Sequence, residues 1–390
     1  MRYSTIILSL VVICACERQI ETAPRDMHGL PDINAGDMAL MLSELPIGME
    51  QLKEVHSAVS SSSENGYDEE YLMRDIFLNP GAGVGSAGTK AGSYVTGNPM
   101  KSLIEDYLRS RVMTKGGDEE ELASYIDELT DSGLQIYWPF SDSWDGKTMP
   151  LMTFDPGTDS QSNEGYEVFV DAAGQRRVKK VMITESMARE RPVWVVNSND
   201  DSEFKTLEIL RRDHPDWGQG GTVIVKSDGA GDSGVKSLLM KDFVMKRHYD
   251  SWFRGASEFF VKCGCVENFT ASTEAEMRLY SPSVTDFMVV VKRSQVGVKI
   301  PFNALLISEW TPQLESVAFL ITEDDGGSKT SWKAETTVKV NSKSYGIVVD
   351  LPMNVRDEIV WRGSLTSRFM DRYSGVTSHF GDVDITFEII

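Results

Sequence analysis

Cysteine is scarce in this chain: of four in 390 residues, Cys14 and Cys16 fall within the first sixteen, and only Cys263 and Cys265 remain for the folded body. A disulfide framework is thereby excluded as the source of stability, which has to come from buried apolar area. Positive charge is also short, with 39 Lys and Arg against 59 Asp and Glu, a formal net charge of −20. Binding to nucleic acid needs clustered cations that release counterions from phosphates, so this balance argues against a nucleic-acid partner, and equally against the body lying on an anionic bilayer. No apolar run reaches the ~20 residues of a membrane-crossing helix; the one beginning at Ile6 soon meets Glu17, Arg18 and Gln19. The five histidines never form His-x-x-x-His or His-x-His, the spacings that put two zinc ligands on one face. No internal repeat is evident.

Two fragments fall short of the chemistry they suggest. Gly81-Ala-Gly-Val-Gly-Ser-Ala-Gly88 follows a helical pattern and Asn79-Pro80, whereas a dinucleotide loop follows a strand and opens a helix, and no Lys-Ser/Thr pair completes a phosphate loop. It reads as a connector. Gly231-Asp-Ser-Gly234 resembles the tetrad around the nucleophile of trypsin-like serine proteases, but Val235 and Lys236 follow where that family continues with Gly and Pro. Its upstream histidine motif is missing, and nothing marks His214 as a base for the serine. With no complete catalytic constellation, the sequence favours a non-catalytic protein and implies no cofactor.

The composition that is present, 41% hydrophobic and 25% charged, is that of an ordinary globular protein, and the length suggests two or three domains. From Asp37 to Thr130 the apolar residues recur at three-to-four spacing. Met38, Leu42 and Leu45 form one stripe, and Met49, Leu52, Val55 and Val59 a second. A third helix is predicted across Asp68 to Leu78 with Tyr71, Leu72, Ile76 and Phe77 inward. Asn98-Pro99 starts a fourth and Asp118 a fifth, which Gly133 closes. After Gly133 the pattern becomes strand-like, as in Leu134–Phe140, Gly165–Val170, Val178–Thr184, Pro192–Val196, Thr222–Lys226, Glu258–Lys262, Asp286–Lys292, Val317–Thr322, Thr336–Val340, Ile347–Leu351 and Asp384–Ile390. The expected fold is α+β and multidomain: a helical domain over 37–133, a middle β-rich domain over 134–215 and an antiparallel β-sandwich over 216–390.

The leader has its own signature. Arg2 gives a positive start, Ile6 to Cys14 a short apolar core, and Ile13-Cys14-Ala15-Cys16 a small residue before a cysteine. That ending resembles the lipobox of bacterial lipoproteins. The resemblance implies a signal peptide over 1–15 that is removed, lipidation of Cys16, and a polar tether over 16–36 carrying Pro24 and Pro31. Glu17 stands where enteric lipoproteins retained at the inner membrane carry aspartate, so the expected location is the cell envelope, lipid-anchored at the outer membrane. Together with Asp250-Ser-Trp-Phe-Arg-Gly-Ala-Ser-Glu258 and Gly66-Tyr-Asp-Glu-Glu-Tyr71, the leader looks similar to lipoproteins of Bacteroides-type bacteria, a resemblance that brings no activity with it.

Three sets of residues are candidates for ligand chemistry. Asn197, Asn199, Asp201 and Glu208 occupy the first, third, fifth and twelfth positions of a calcium-type loop, although Ser202 replaces the turn glycine and a strand precedes it. Glu323-Asp-Asp-Gly-Gly327 and Asp357-Glu358 resemble the end loops of synaptotagmin-type lipid-binding sandwiches. Trp138, Trp144 and Trp252 are candidates to hold a sugar ring or a partner surface, with packing between domains as the plainer role. Cys263-Gly-Cys265 fits a local disulfide or two buried thiols. The expectation is a membrane-anchored envelope protein with a non-catalytic binding or assembly role, its partner a glycan or an envelope protein. The alternatives are a surface glycoside hydrolase using paired carboxylates and a structural envelope protein.

Overall fold

The computed structural model of the protein describes residues 30–78, 98–199, 206–213 and 236–390. Cys16, Asp201, the glycine-rich run 81–88, His214, the strand expected at 222–226 and the tetrad 231–234 lie outside these residues.

Among the described residues the helices α1 (Ala35–Glu44), α2 (Met49–Glu64), α3 (Met73–Leu78), α4 (Pro99–Thr114) and α5 (Glu119–Asp131) come first. Of the two helix starts read from sequence, Asp118 caps with its side chain whereas Asn98 makes no side-chain cap bond, and Asn34 adds a cap that the sequence reading did not name. Asn34 Oδ1 accepts from the Asp37 amide at 2.9 Å and Asp118 Oδ1 from the Glu121 amide at 3.0 Å, each satisfying a donor that the first helical turn leaves open. Helix α1 thus begins at Ala35, inside the stretch expected to be tether. A mixed six-stranded sheet accompanies the helices, in the order β1-β2-β6-β3-β4-β5. Its strands are β1 (Glu70–Leu72), β2 (Leu134–Tyr137), β3 (Leu151–Phe154), β4 (Ser162–Val170), β5 (Arg176–Thr184) and β6 (Val193–Ser198), with the short helix α6 (Glu185–Glu190) between the last two. One pairing, β3 with β6, is parallel.

The helix expected over Asp68 to Leu78 is split. Glu70, Tyr71 and Leu72 form β1, paired with Tyr137, Ile136 and Gln135, and only Met73 to Leu78 are helical. All three β1 residues are buried, so a ladder partner on β2 outweighs the helical spacing of their neighbours. Leu42, Leu52, Val55, Ile104, Leu108 and Leu129 from the helices share one apolar core with Ile136, Trp138, Met152, Trp194 and Val196 from the sheet. The boundary expected after Gly133 therefore falls inside a continuous core, and helices and sheet form one module.

After α7 (Leu207–Asp213), the described residues from Lys236 onward are mainly antiparallel strand. The four-stranded sheet β10-β7-β16-β15 faces a second sheet built on β13-β12-β11-β8-β9, with β14 on the other edge of β11. These strands are β7 (Lys236–Met245), β8 (Ser257–Cys265), β9 (Ser283–Val291), β10 (Ile300–Trp310), β11 (Leu314–Glu323), β12 (Lys329–Val340), β13 (Lys343–Asn354), β14 (Glu358–Thr366), β15 (Thr377–Phe380) and β16 (Val383–Ile389); α8 (Glu274–Met277) and α9 (Ser367–Tyr373) are short. Phe243, Phe259, Val261, Phe319, Ile321, Ile385 and Phe387 fill the space between the sheets, the sandwich expected from the strand pattern. Cys263 and Cys265 are two buried free thiols in this core. The β12–β13 hairpin folds over the outer face, where Ala334, Val349 and Leu351 cover Ala318 and Leu320. Gly264 lies beneath it: a Cβ there would sit 2.8 Å from Val349 Cγ2.

Two small apolar clusters join the modules. Trp252 and Phe253, from the connector between β7 and β8, pack with Tyr137, Leu151, Ile183, Val193 and Val195 of the first sheet. Tyr67 and Leu72 meet Phe260, Met288 and Ile209 of α7. Polar ties reinforce them: Asp68 Oδ2 accepts from the Ala256 amide at 2.8 Å, and Asn197 Nδ2 donates to the carbonyls of Phe253 and Arg254 at 3.0 and 2.8 Å. Among the described residues, no helix is long and apolar enough to cross a membrane.

Candidate functional site, an acidic cavity between the modules

Where the connector crosses from one module to the other, it forms one wall of a cavity of about 480 Å³. Asp155 after β3 and Asn197 and Ser198 at the end of β6 come from the first module. Asp250 and Arg254 come from the connector, Glu258 from β8, Asp324 and Asp325 from the turn after β11, and Arg356 from the turn after β13. Five carboxylates thus face two guanidiniums.

The strand register builds the acidic side. Antiparallel pairing sets Glu323 of β11 opposite Phe259 of β8, and the Asp324 amide donates to the Glu258 carbonyl at 2.9 Å. Glu323 is thereby carried beside Glu258, and the connector folds back to bring Asp250 to both. One carboxylate oxygen from each of Asp250, Glu258 and Glu323 lies within 4.8 Å of the others. Glu323 is only 1% exposed, and no N–H or hydroxyl group among the described residues donates to its Oε1. Burial holds its carboxyl far above the usual carboxylate range, and a proton shared with Asp250 and the charges of Asp250, Asp325 and Glu358 push the same way. Asp325 is pushed up to about 6, by burial first and then by Asp250 and Glu358, against the pull of Arg254.

The remaining groups hold the rim. Arg254 is shared among Asp250 at 3.5 Å and Asp155 and Asp159 at 3.7 Å each. Asp324 Oδ1 accepts from the Gly326 amide at 2.9 Å and from Asn354 Nδ2 at 3.1 Å, while the Asn354 amide donates to Asp357 Oδ2 at 2.7 Å. Gly327, at φ +100°, lies under the Arg356 side chain, where an added Cβ would come within 3.2 Å of Arg356 Cγ. Asn197, also 1% exposed, spends its Nδ2 on the two connector carbonyls, and its Oδ1 has no hydrogen-bond partner among the described residues.

The residues singled out from sequence are distributed otherwise. Trp138 is buried among His56, Trp144 and Trp194. Half-buried Trp144 donates from Nε1 to the Thr148 carbonyl at 3.0 Å, and buried Trp252 donates to the Gln161 carbonyl at 3.2 Å with its ring against Phe253 at 4.0 Å. None of the three lines the cavity. Of the calcium-type loop, Asp201 lies outside the described residues; Asn197 is in β6, Asn199 Nδ2 donates to Glu70 Oε2 at 2.9 Å, and Glu208 lies in α7 against Gly66. Asn197 does reach an acidic site, but a different one. Asp324 and Asp325, read as a sandwich end loop, reach the same place. Glu323, named from sequence only as the start of that end loop, continues the alternation of core residues Val317, Phe319 and Ile321 with a charge where an apolar side chain is expected.

Compared with protein-family models, curated proteins and solved structures, the chain matches none.

Proposed function

We propose that this chain is a lipid-anchored protein of the cell envelope, held at the outer membrane through Cys16, that binds a ligand without transforming it in the cavity between its modules. The observation that carries the reading is the cavity itself. It is roomy, lies at a junction of modules where ligand sites commonly form, and combines carboxylate, amide and guanidinium groups suited to a polyhydroxylated ligand such as a glycan end. Its described lining offers no histidine, lysine or cysteine to act as base or nucleophile. Capture of fluorescent envelope glycans by the purified protein, lost on Asp155→Asn and Arg356→Ala, is the expected result; retention of capture by both variants would remove the cavity from the account. The anchor is tested separately. Labelled palmitate should enter the protein in growing cells, and Cys16→Ser should abolish the label and shift the protein to the soluble fraction.

A glycoside hydrolase using paired carboxylates is the second reading, favoured by a proton-holding Glu323 next to Asp250. Glycosidase carboxyl pairs face each other about 5 to 9.5 Å apart across the scissile bond, whereas Asp250, Glu258 and Glu323 each bring one oxygen into a single cluster. Binding is therefore preferred. Turnover of a bound glycan that stops with Glu323→Gln would reverse the preference.

A further inference from the structure

We propose that Asp250, Glu258 and Glu323, joined by the amide oxygen of Asn197, form a site for one calcium ion. Calcium takes six to eight oxygen ligands at ~2.3–2.6 Å, so two ligands of one ion stand at most ~5 Å apart. The three carboxylate oxygens already lie within 4.8 Å of one another. Magnesium, at ~2.0–2.1 Å, spans no more than ~4 Å and demands near-octahedral order.

Two further observations point to a cation and not to a merely acidic surface. Glu323 is 1% exposed, with Oε1 receiving no hydrogen bond from the described residues; a buried acceptor left in that state is costly unless something electropositive meets it. Asn197, a residue of the cavity lining, is equally buried, and with its Nδ2 given to the carbonyls of Phe253 and Arg254 its Oδ1 is left without a hydrogen-bond partner among the described residues. Arg254 relieves Asp250 only in part, being divided with Asp155 and Asp159. A doubly charged ion offsets two of the three carboxylates at once, and Asp325, which lines the same cavity, would with solvent complete its shell. The site also gives the connector a function, since Asp250 and Glu258 flank the segment whose Trp252 and Phe253 lock the modules together.

The inference rests on the cavity being the binding site and specifies what completes it. The experiment is calorimetric titration of the full 390-residue chain, stripped with a chelator, with calcium chloride and separately with magnesium chloride. Wild type should take up one calcium per chain with a Kd of about 0.1–1 mM, as extracellular modules do. Asp250→Asn and Glu323→Gln should weaken uptake about 10- to 100-fold, and Glu208→Gln should leave it unchanged. Circular dichroism of each variant verifies that lost uptake is not lost folding. Absence of uptake by wild type, equal uptake by the carboxylate variants, or tighter binding of magnesium would each overturn the proposal. Calcium uptake without glycan capture leaves the ion site standing and removes the ligand reading; glycan capture without calcium uptake does the reverse.

Discussion

Replacing Glu323 by glutamine should stabilise the cation-free protein. The side chain is 1% exposed, and its oxygen lies within 4.8 Å of those of Asp250 and Glu258. At an effective dielectric near 20, each ionised pair at that distance repels by about 3 kcal/mol, so without a cation the carboxyl keeps its proton. In the unfolded chain the same carboxyl ionises near its ordinary 4.5. Holding it protonated therefore costs about 1.4 kcal/mol for each pH unit above that value, or about 3 kcal/mol near pH 7. Glutamine keeps the shape, is neutral at every pH and donates to the adjacent carboxylates. The raised Glu323 contributes its full stability below the unfolded value and loses it as pH climbs toward the folded one. Wild type should thus weaken with rising pH while the variant does not share that slope. Urea unfolding in chelator at about pH 5, 6, 7 and 8 measures this: the variant's advantage should be under about 1 kcal/mol near pH 5 and about 3 kcal/mol near pH 7. A variant less stable than wild type near pH 7, or a difference that does not grow with pH, would refute the electrostatic reasoning.

Other regions yield independent outcomes. Gly264→Val places side-chain atoms where Val349 Cγ2 already lies 2.8 Å from an added Cβ; denaturant unfolding should show a loss of about 2 kcal/mol, relieved in part by pairing it with Val349→Ala. Trp252→Ala empties a fully buried site between the modules and should cost about 3–5 kcal/mol, with limited proteolysis cutting near the connector first. Asn197→Leu strands the Phe253 and Arg254 carbonyls that Nδ2 now satisfies, and thermal unfolding should reveal a loss of about 1–3 kcal/mol. Asp325, held up to about 6, should make ligand or ion uptake at the cavity fall away as pH drops through that value, in a titration followed by calorimetry.

The fold was legible where burial is one-sided. Alternation along Thr336 to Val340 marks a strand with an inner face, and three-to-four spacing in α2 and α4 marks helices lying on a core. It failed at Tyr71 and Leu72, whose spacing with Ile76 and Phe77 suits a helix, because a pairing with β2 some sixty residues away is not written in local periodicity. The site was half legible. The run from Asp250 to Glu258 and the acids at Asp324 and Asp325 stood out, but their meeting depends on the β8–β11 register and on a connector folding between modules. Asn197, Asn199 and Glu208 were chosen by spacing along the chain, whereas a strand, a hydrogen bond to Glu70 and a helix fix where each one sits. The tryptophans were conspicuous by type, yet Trp138 and Trp252 are fully buried and join the core.

The most direct measurement is long-wavelength anomalous diffraction from crystals grown with calcium chloride. The account predicts a single anomalous peak enclosed by Asp250, Glu258 and Glu323, within coordination distance of Asn197 Oδ1. A cavity without such a peak, its carboxyls bridged only by hydrogen bonds, would contradict it.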